Sequence, residues 1–188
     1  MWLPYASTTL IGMELLSALQ QFDHRLFTRV FRQGERRMIR PLARALSHSG
    51  DGYLHVLVPL LLLLLGAEDL GAFCALLVAA LAIERAVYWL LKNSLKRRRP
   101  QDYMPGFRSL ITASDQFSFP SGHSSAAFLL ATTLWIVYGG PVIAMYLWAS
   151  CVAMSRVILG VHFPGDTVAG ALMGSSIALA TASHLGLI

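Results

Sequence analysis

Apolar positions fall into five runs separated by short polar breaks. Residues 53–67, 70–91, 123–138, 141–159 and 166–187 carry few charges. Each approaches the roughly 17–25 residues that a helix needs to cross a hydrocarbon core, the first and third being short. The breaks have turn chemistry: "EDLG" at 68–71, "YGGP" at 138–141, and a polar loop containing Pro and Gly from about 93 to 119. This pattern predicts an all-α fold, an integral membrane bundle of about five transmembrane helices. Residues 8–46 read differently. Leu15, Leu19, Phe22, Leu26, Val30 and Met38 recur at helical spacing among arginines. That predicts N-terminal amphipathic helices, either lying in the membrane interface or packed on the bundle. Residues 3–22 are the candidate for a sixth span, disfavoured by Glu14, Gln20 and Gln21. The chain thus divides into an arginine-rich segment, 1–50, and a transmembrane bundle, 51–188.

Composition supports the membrane reading. Hydrophobic residues make up 55% of 188 and charged residues 13%, against roughly 45–50% and 25% in soluble domains. Mean hydropathy is +0.57. A soluble domain of this length has too little interior to hide so much apolar surface. Cys74 and Cys151 lie inside apolar runs and read as small buried hydrophobes, with no disulfide or metal spacing. The opening "MWLPYASTTL" has no basic n-region, so no cleaved signal peptide is expected.

The net charge of +5 is concentrated in two places. Arg25, Arg29, Arg32, Arg36, Arg37, Arg40 and Arg44 crowd the N-terminal segment, and "KRRR" covers Lys96 to Arg99. Nucleic acid is the rival partner for such clusters, but in a membrane chain the lipid headgroup region is the expected one.

Three polar clusters interrupt the apolar pattern. "KNSLKRRRP" (92–100) begins where the second run ends and reads either as snorkelling anchors or as an anion site. "QFSFPSGHSS" (116–125) opens the third run. Pro120 and Ser121 suit a helix start, whose free amides attract anions. Gly122 allows close approach, and His123 falls in the first turn. "SRVILGVHFPGD" (155–166) closes the fourth run with Ser155 and Arg156 and opens the fifth with Asp166, four residues after His162. An arginine within a span is costly and marks function, and a carboxylate beside a histidine fixes its tautomer. By span count all three clusters lie on one membrane face. Together they read as a phosphate site with a nucleophile and an acid.

These motifs resemble those of the phosphatidic acid phosphatase type 2 family. Its signature has three parts, and each is matched: Lys92 seven residues before Arg99, which Pro100 follows; Pro120 to His123; Ser155 and Arg156, then His162 and Asp166. The resemblance implies a lipid phosphate phosphatase without cofactor or metal, forming a phosphohistidine. His162 would attack phosphorus, Asp166 would orient it, and His123 would protonate the departing lipid oxygen. Lys92, Arg99, Arg156, Ser121 and Gly122 would hold the phosphoryl oxygens, with Pro120 and Ser155 in support. The alternatives are a phosphotransferase using the same phosphohistidine and a lipid-binding or transport protein without catalysis.

Outside the motifs, Arg85 either extends the positive site or pairs with Glu84, and pairing is the favoured reading. Arg97 and Arg98 read as headgroup contacts, while His24, His48, His55 and His184 read as structural. Asp102 and Asp115 are too isolated for a metal site. Phe107, Leu110, Ile111 and Phe117 in the loop 101–119 either line a lipid entrance or pack as a cap, with Arg108 placed for a headgroup. The family resemblance implies a multi-pass protein of the bacterial inner membrane, often active on its outer face, on undecaprenyl diphosphate or phosphatidylglycerol phosphate. The positive-inside rule puts the motif-bearing face in the cytoplasm instead, because "GAEDLG", "YGGP" and the C-terminus carry no Lys or Arg.

Overall fold

Each apolar run becomes a helix, and the breaks fall where turn residues stand. The computed structural model describes residues 5–34, 36 and 38–188, so Arg37 lies outside the described residues. In chain order the helices are α1 (Tyr5–Gly34), α2 (Ile39–Ser49), α3 (Leu54–Leu64), α4 (Leu70–Leu95), α5 (Pro100–Tyr103) and α6 (Gly122–Tyr138). A 3-10 turn (Gly140–Ile143), α7 (Ala144–Ile158) and α8 (Pro164–His184) complete the chain. All regular structure among the described residues is helical, in keeping with the expected all-α class. Asp69, at φ 57°, starts α4 from the left-handed region, and Gly139, at φ 75°, ends α6. The fourth run loses its first residues to the 3-10 turn, so α7 begins at Ala144 rather than 141.

Among the described residues, one helical segment, Leu70–Tyr103, has both the length and the apolarity to cross a bilayer. Leu54–Leu64 and Ala144–Ile158 are apolar but shorter. Helix α3 buries none of its residues and exposes Leu57, Leu60, Leu61, Leu63 and Leu64. A row of large exposed apolar side chains is a surface made for a partner or for lipid.

The core is organised around α6. Phe73, Leu77 and Ala80 of α4 meet Leu129, Leu130 and Leu134 of α6 and Ala178 of α8. On the other side Ala127 and Ala131 meet Ala149 and Val152 of α7. Helices α6 and α8 touch backbone to backbone, since a Cβ at Gly170 would stand 2.4 Å from the Ser121 carbonyl oxygen and one at Gly174 2.1 Å from that of Ser125. Small residues at such crossings let helices approach closely. Gly174→Val is therefore expected to force α8 off α6 and cost about 1–3 kcal/mol or more. A thermal melt in detergent checks this, and an unchanged midpoint contradicts it.

The N-terminal segment packs on the bundle along one face. Phe27 is fully buried with Val157 and Phe163, and Val30, Phe31 and Phe107 pack around them. Arg25, Arg29 and Arg32 of the same helix stay exposed. Residues 5–34 form one continuous helix, which contains most of the candidate span 3–22. Cys74 and Cys151 are free and half-buried, more open than their apolar surroundings imply.

Candidate active site

The three motif clusters meet at one end of the bundle, where α4, α6, α7, the turn before α8 and the loop after α2 surround a cavity of about 660 Å³. Arg85, Tyr88, Arg99, His123, Arg156 and His162 are on its wall.

The first cluster supplies two buried cations. Lys92 closes α4; its Nζ donates to Tyr88 Oη at 2.8 Å and lies 3.4 Å from the Pro120 carbonyl oxygen. Arg99 stands before α5, its backbone extended so that Pro100 can take the first helical position. Its Nη1 donates to the Val161 carbonyl at 2.6 Å, tying this cluster to the turn that carries His162. Between the two cations sits the carboxylate of Asp115, 2.6 Å from Lys92 Nζ and paired with Arg99 and the Tyr88 hydroxyl. Burial alone would raise the pKa of Asp115, but Lys92, Tyr88 and Arg99 outweigh it and hold the carboxylate at about 2. The sequence leaves Asp115 isolated; folding of the loop makes it an anion bound where two motif cations converge.

The second cluster opens α6. Pro120 follows a cis peptide bond, and Ser121 is the N-cap, its Oγ accepting from the Ser124 amide at 3.5 Å and from Ser124 Oγ at 3.0 Å. Ser121 is fully buried and turned into its own helix, beside the cavity rather than on its wall. Gly122 lies against Tyr88, where a Cβ would stand 3.0 Å from the ring. His123 reaches the cavity, and its Nε2 is 2.7 Å from Asp51 Oδ1. The other Asp51 oxygen is 2.5 Å from His48 Nδ1. Burial opposes ionisation of Asp51, yet hydrogen bonds from His123 and His48 hold its carboxylate below the usual range. His48 is therefore partnered after all, through an acid that the motif spacing does not point to.

The third cluster spans the α7–α8 turn. Arg156 is buried; its Nη1 donates to Ser47 Oγ at 2.5 Å, and its Nε has no hydrogen-bond partner among the described residues. Ser155 Oγ donates back to the Val152 carbonyl at 2.6 Å and supports the helix end. His162 is 2% exposed, with Nδ1 3.7 Å from Asp166 Oδ2. That is a charge contact longer than a hydrogen bond. Asp166 Oδ2 accepts the Phe163 amide at 2.8 Å, which caps α8. Burial lowers the His162 pKa to about 4, Arg99 and Arg156 pushing the same way and Asp166 opposing them. The imidazole is neutral at neutral pH, which is the nucleophilic form.

Several residues outside the motifs take positions the sequence did not assign. Arg97, expected at a headgroup, has its guanidinium paired with Asp166 Oδ1 and Asp23 Oδ2, each at 2.6 Å. Glu84 and Arg85 pair as expected, in a two-pronged contact at 2.5 and 2.6 Å, while Arg85 also faces the cavity. Phe107 packs edge-on against Phe27 and Phe31, so this part of the loop is a cap.

The sequence profile of the PAP2 superfamily matches residues 73–185. Decaprenylphosphoryl-5-phosphoribose phosphatase of Mycobacterium tuberculosis is 31% identical over 147 residues, 72% of this chain and 74% of that protein. Lipid A 1-phosphatase of Rhizobium johnstonii is 38% identical over 100 residues, 50% of this chain and 40% of that protein. The crystal structure of LpxE from Aquifex aeolicus superimposes with a TM-score of 0.71 at 26% identity, covering 85% of this chain and 93% of the other. A transmembrane PAP2-type phosphatidylglycerolphosphate phosphatase from Bacillus subtilis superimposes at 0.73 over 97% and 96%; at 21% identity it speaks for the fold alone.

Proposed function

We propose that this chain, which belongs to the PAP2 superfamily, is a membrane lipid phosphate phosphatase that works through a phosphohistidine at His162. One observation carries the reading: a neutral, buried histidine backed by a carboxylate faces a cavity lined by Arg99 and Arg156, with a second histidine on the same wall.

The chemistry follows from the placement. With Nδ1 toward Asp166, the Nε2 lone pair of His162 attacks phosphorus in line, forming a P–N bond as the P–O bond to the lipid breaks. Asp166 attracts the Nδ1 proton and stabilises the imidazolium charge that develops. His123 gives its proton to the departing oxygen, with Asp51 holding the ring. A water then loses a proton to His123 and attacks the phosphohistidine, releasing phosphate and restoring both histidines. Arg156, Arg99 and Lys92 stabilise the equatorial oxygens, the dominant task in phosphoryl transfer. The arriving phosphoryl group exchanges with the Asp115 carboxylate for the same two cations. Ser121 contributes by fixing the start of α6 rather than by touching substrate.

The bundle spans a bacterial membrane through about five helices, with α1 and α2 along the surface where their exposed arginines meet anionic headgroups. The substrate is a lipid mono- or diphosphate. Undecaprenyl diphosphate, phosphatidylglycerol phosphate and phosphatidate are the candidates that the family resemblance implies, and the relatives' names add a lipid A 1-phosphate and a lipid-linked phosphoribose. The positive-inside rule favours the cytoplasmic face. Phosphate release from this panel by purified protein in detergent with EDTA, alongside His162→Ala, tests the reading. Release that depends on His162 supports it. Transfer to a lipid acceptor without release would make the chain a phosphotransferase, and no turnover of any member overturns the reading.

The pH profile is a separate check. His162 attacks only when neutral, and its folded pKa of about 4 lies below the ordinary 6.5. The acid limb of kcat/KM, which reports the free enzyme, is therefore expected near pH 4. Once ionisation of the substrate phosphate is corrected for, more than half of the maximal kcat/KM should survive at pH 5.5, and a remaining midpoint near 6.5 contradicts the assignment.

A further inference from the structure

The His162–Asp166 pair is gripped from the side by an ionic chain that starts on α1, outside the residues that the family profile matches. Asp166 is fully buried, and its two oxygens have different partners. Oδ2 takes the Phe163 amide at 2.8 Å and faces His162, while Oδ1 takes Arg97 Nη1 at 2.6 Å. The same guanidinium donates through Nη2 to Asp23 Oδ2 at 2.6 Å, and Asp23 Oδ1 accepts the Gly165 amide at 2.8 Å. Asp23 thus holds the α7–α8 turn at two points, once through its backbone and once through the counter-charge of its acid.

The surroundings are shaped for this grip. Arg97 Cζ lies 4.4 Å from the Phe163 ring centroid, so the planar guanidinium is held from its face as well as its edges. Phe27, one turn after Asp23, packs against Phe163 with ring centroids 5.3 Å apart and presses α1 onto the turn. A Cβ at position 165 would stand 3.0 Å from Asp23 Oδ2, so the glycine preceding Asp166 leaves room for the α1 carboxylate.

We propose that Asp23 is a positioning residue, which through Arg97 and the Gly165 amide fixes Asp166 against His162. The N-terminal helix is thereby part of the catalytic apparatus. This inference rests on the phosphohistidine reading of the His162–Asp166 pair. An arginine can bridge two carboxylates because its donors form a rigid fork. Without the Asp23 charge, Arg97 is free to rotate and pull Asp166 away from its 3.7 Å contact with His162.

Asp23→Asn is the sharpest test, because the amide oxygen can still accept from Gly165 while the charge on Arg97 is lost. Partners that orient a catalytic group from behind are worth about 10–100-fold. The expected result is a fall of that size in kcat and in the single-turnover rate of phosphohistidine formation, with KM within twofold, and recovery of much of kcat in Asp23→Glu. If Asp23 only glues α1 to the bundle, the melting temperature falls while kcat of the folded protein stays at the parent value, and the proposal fails. Should Asp23→Asn not fold, Arg97→Lys carries the same readout, since a single ammonium cannot reproduce the fork; a parent-like kcat there also overturns the proposal. His162→Ala in the same series separates the two levels. Turnover retained in His162→Ala removes the underlying reading, whereas a dead His162→Ala beside a fully active Asp23→Asn removes only the role of Asp23.

Discussion

His162→Ala is expected to lower phosphate release by a factor on the order of 10⁶, as loss of a covalent nucleophile does elsewhere, while the protein remains folded. Neither half of that outcome follows from burial alone. The imidazole is 2% exposed, so its removal leaves a small cavity at the floor of a larger one. Among the described residues its Nδ1 has no hydrogen-bond partner within 3.5 Å, so none of them is left with an orphaned donor or acceptor at that atom. What disappears is the buried imidazole on the wall that Arg99 and Arg156 share. Phosphate release with His162→Ala, normalised to protein that elutes as the parent does in size exclusion, checks this. Turnover within tenfold of the parent would rule out His162 as the nucleophile.

Asp166→Asn is expected to give the second largest loss, about 10³–10⁴-fold in kcat, comparable to the same change in other carboxylate–histidine pairs. The amide keeps the shape of the side chain and can still accept the Phe163 amide, so the cap on α8 survives. It cannot offset the positive charge that builds on His162 as the P–N bond forms. It also leaves Arg97 with Asp23 as its one carboxylate partner. Because the loss falls on the transition state, kcat and kcat/KM should drop together while KM holds. A selective rise in KM would instead place Asp166 in substrate binding.

Much of this site was legible in the sequence because its parts are local. Seven residues separate Lys92 from Arg99, so one helix end and one short strap fix both, and four separate His162 from Asp166 across a helix start. Span counting was enough to put the three clusters at one end of the bundle. The residues that escaped are those whose partners are set by the crossing of helices. Asp51 meets His123 across 72 positions, and Arg97 meets Asp23 across 74. No spacing rule reaches that far, and Arg97 sits in a run of four cations where nothing singles it out. Asp115 escaped for a different reason: its meaning lies in a loop that folds back between two cations. Ser121, read as a phosphate ligand from its motif, is fully buried and takes the capping bond from the Ser124 amide. The 3.6-residue period of α1 was visible, whereas its docking site, the Phe163 turn, was not.

The proposed chemistry requires a covalent bond between phosphorus and His162. The measurement that tests it most directly is rapid acid-free quenching of enzyme with a radiolabelled lipid phosphate, followed by peptide mapping of the label. The expected result is one acid-labile, base-stable phosphopeptide containing His162, formed at a rate no slower than turnover and absent from His162→Ala. Label on another residue, or steady turnover with no label on His162, would contradict it.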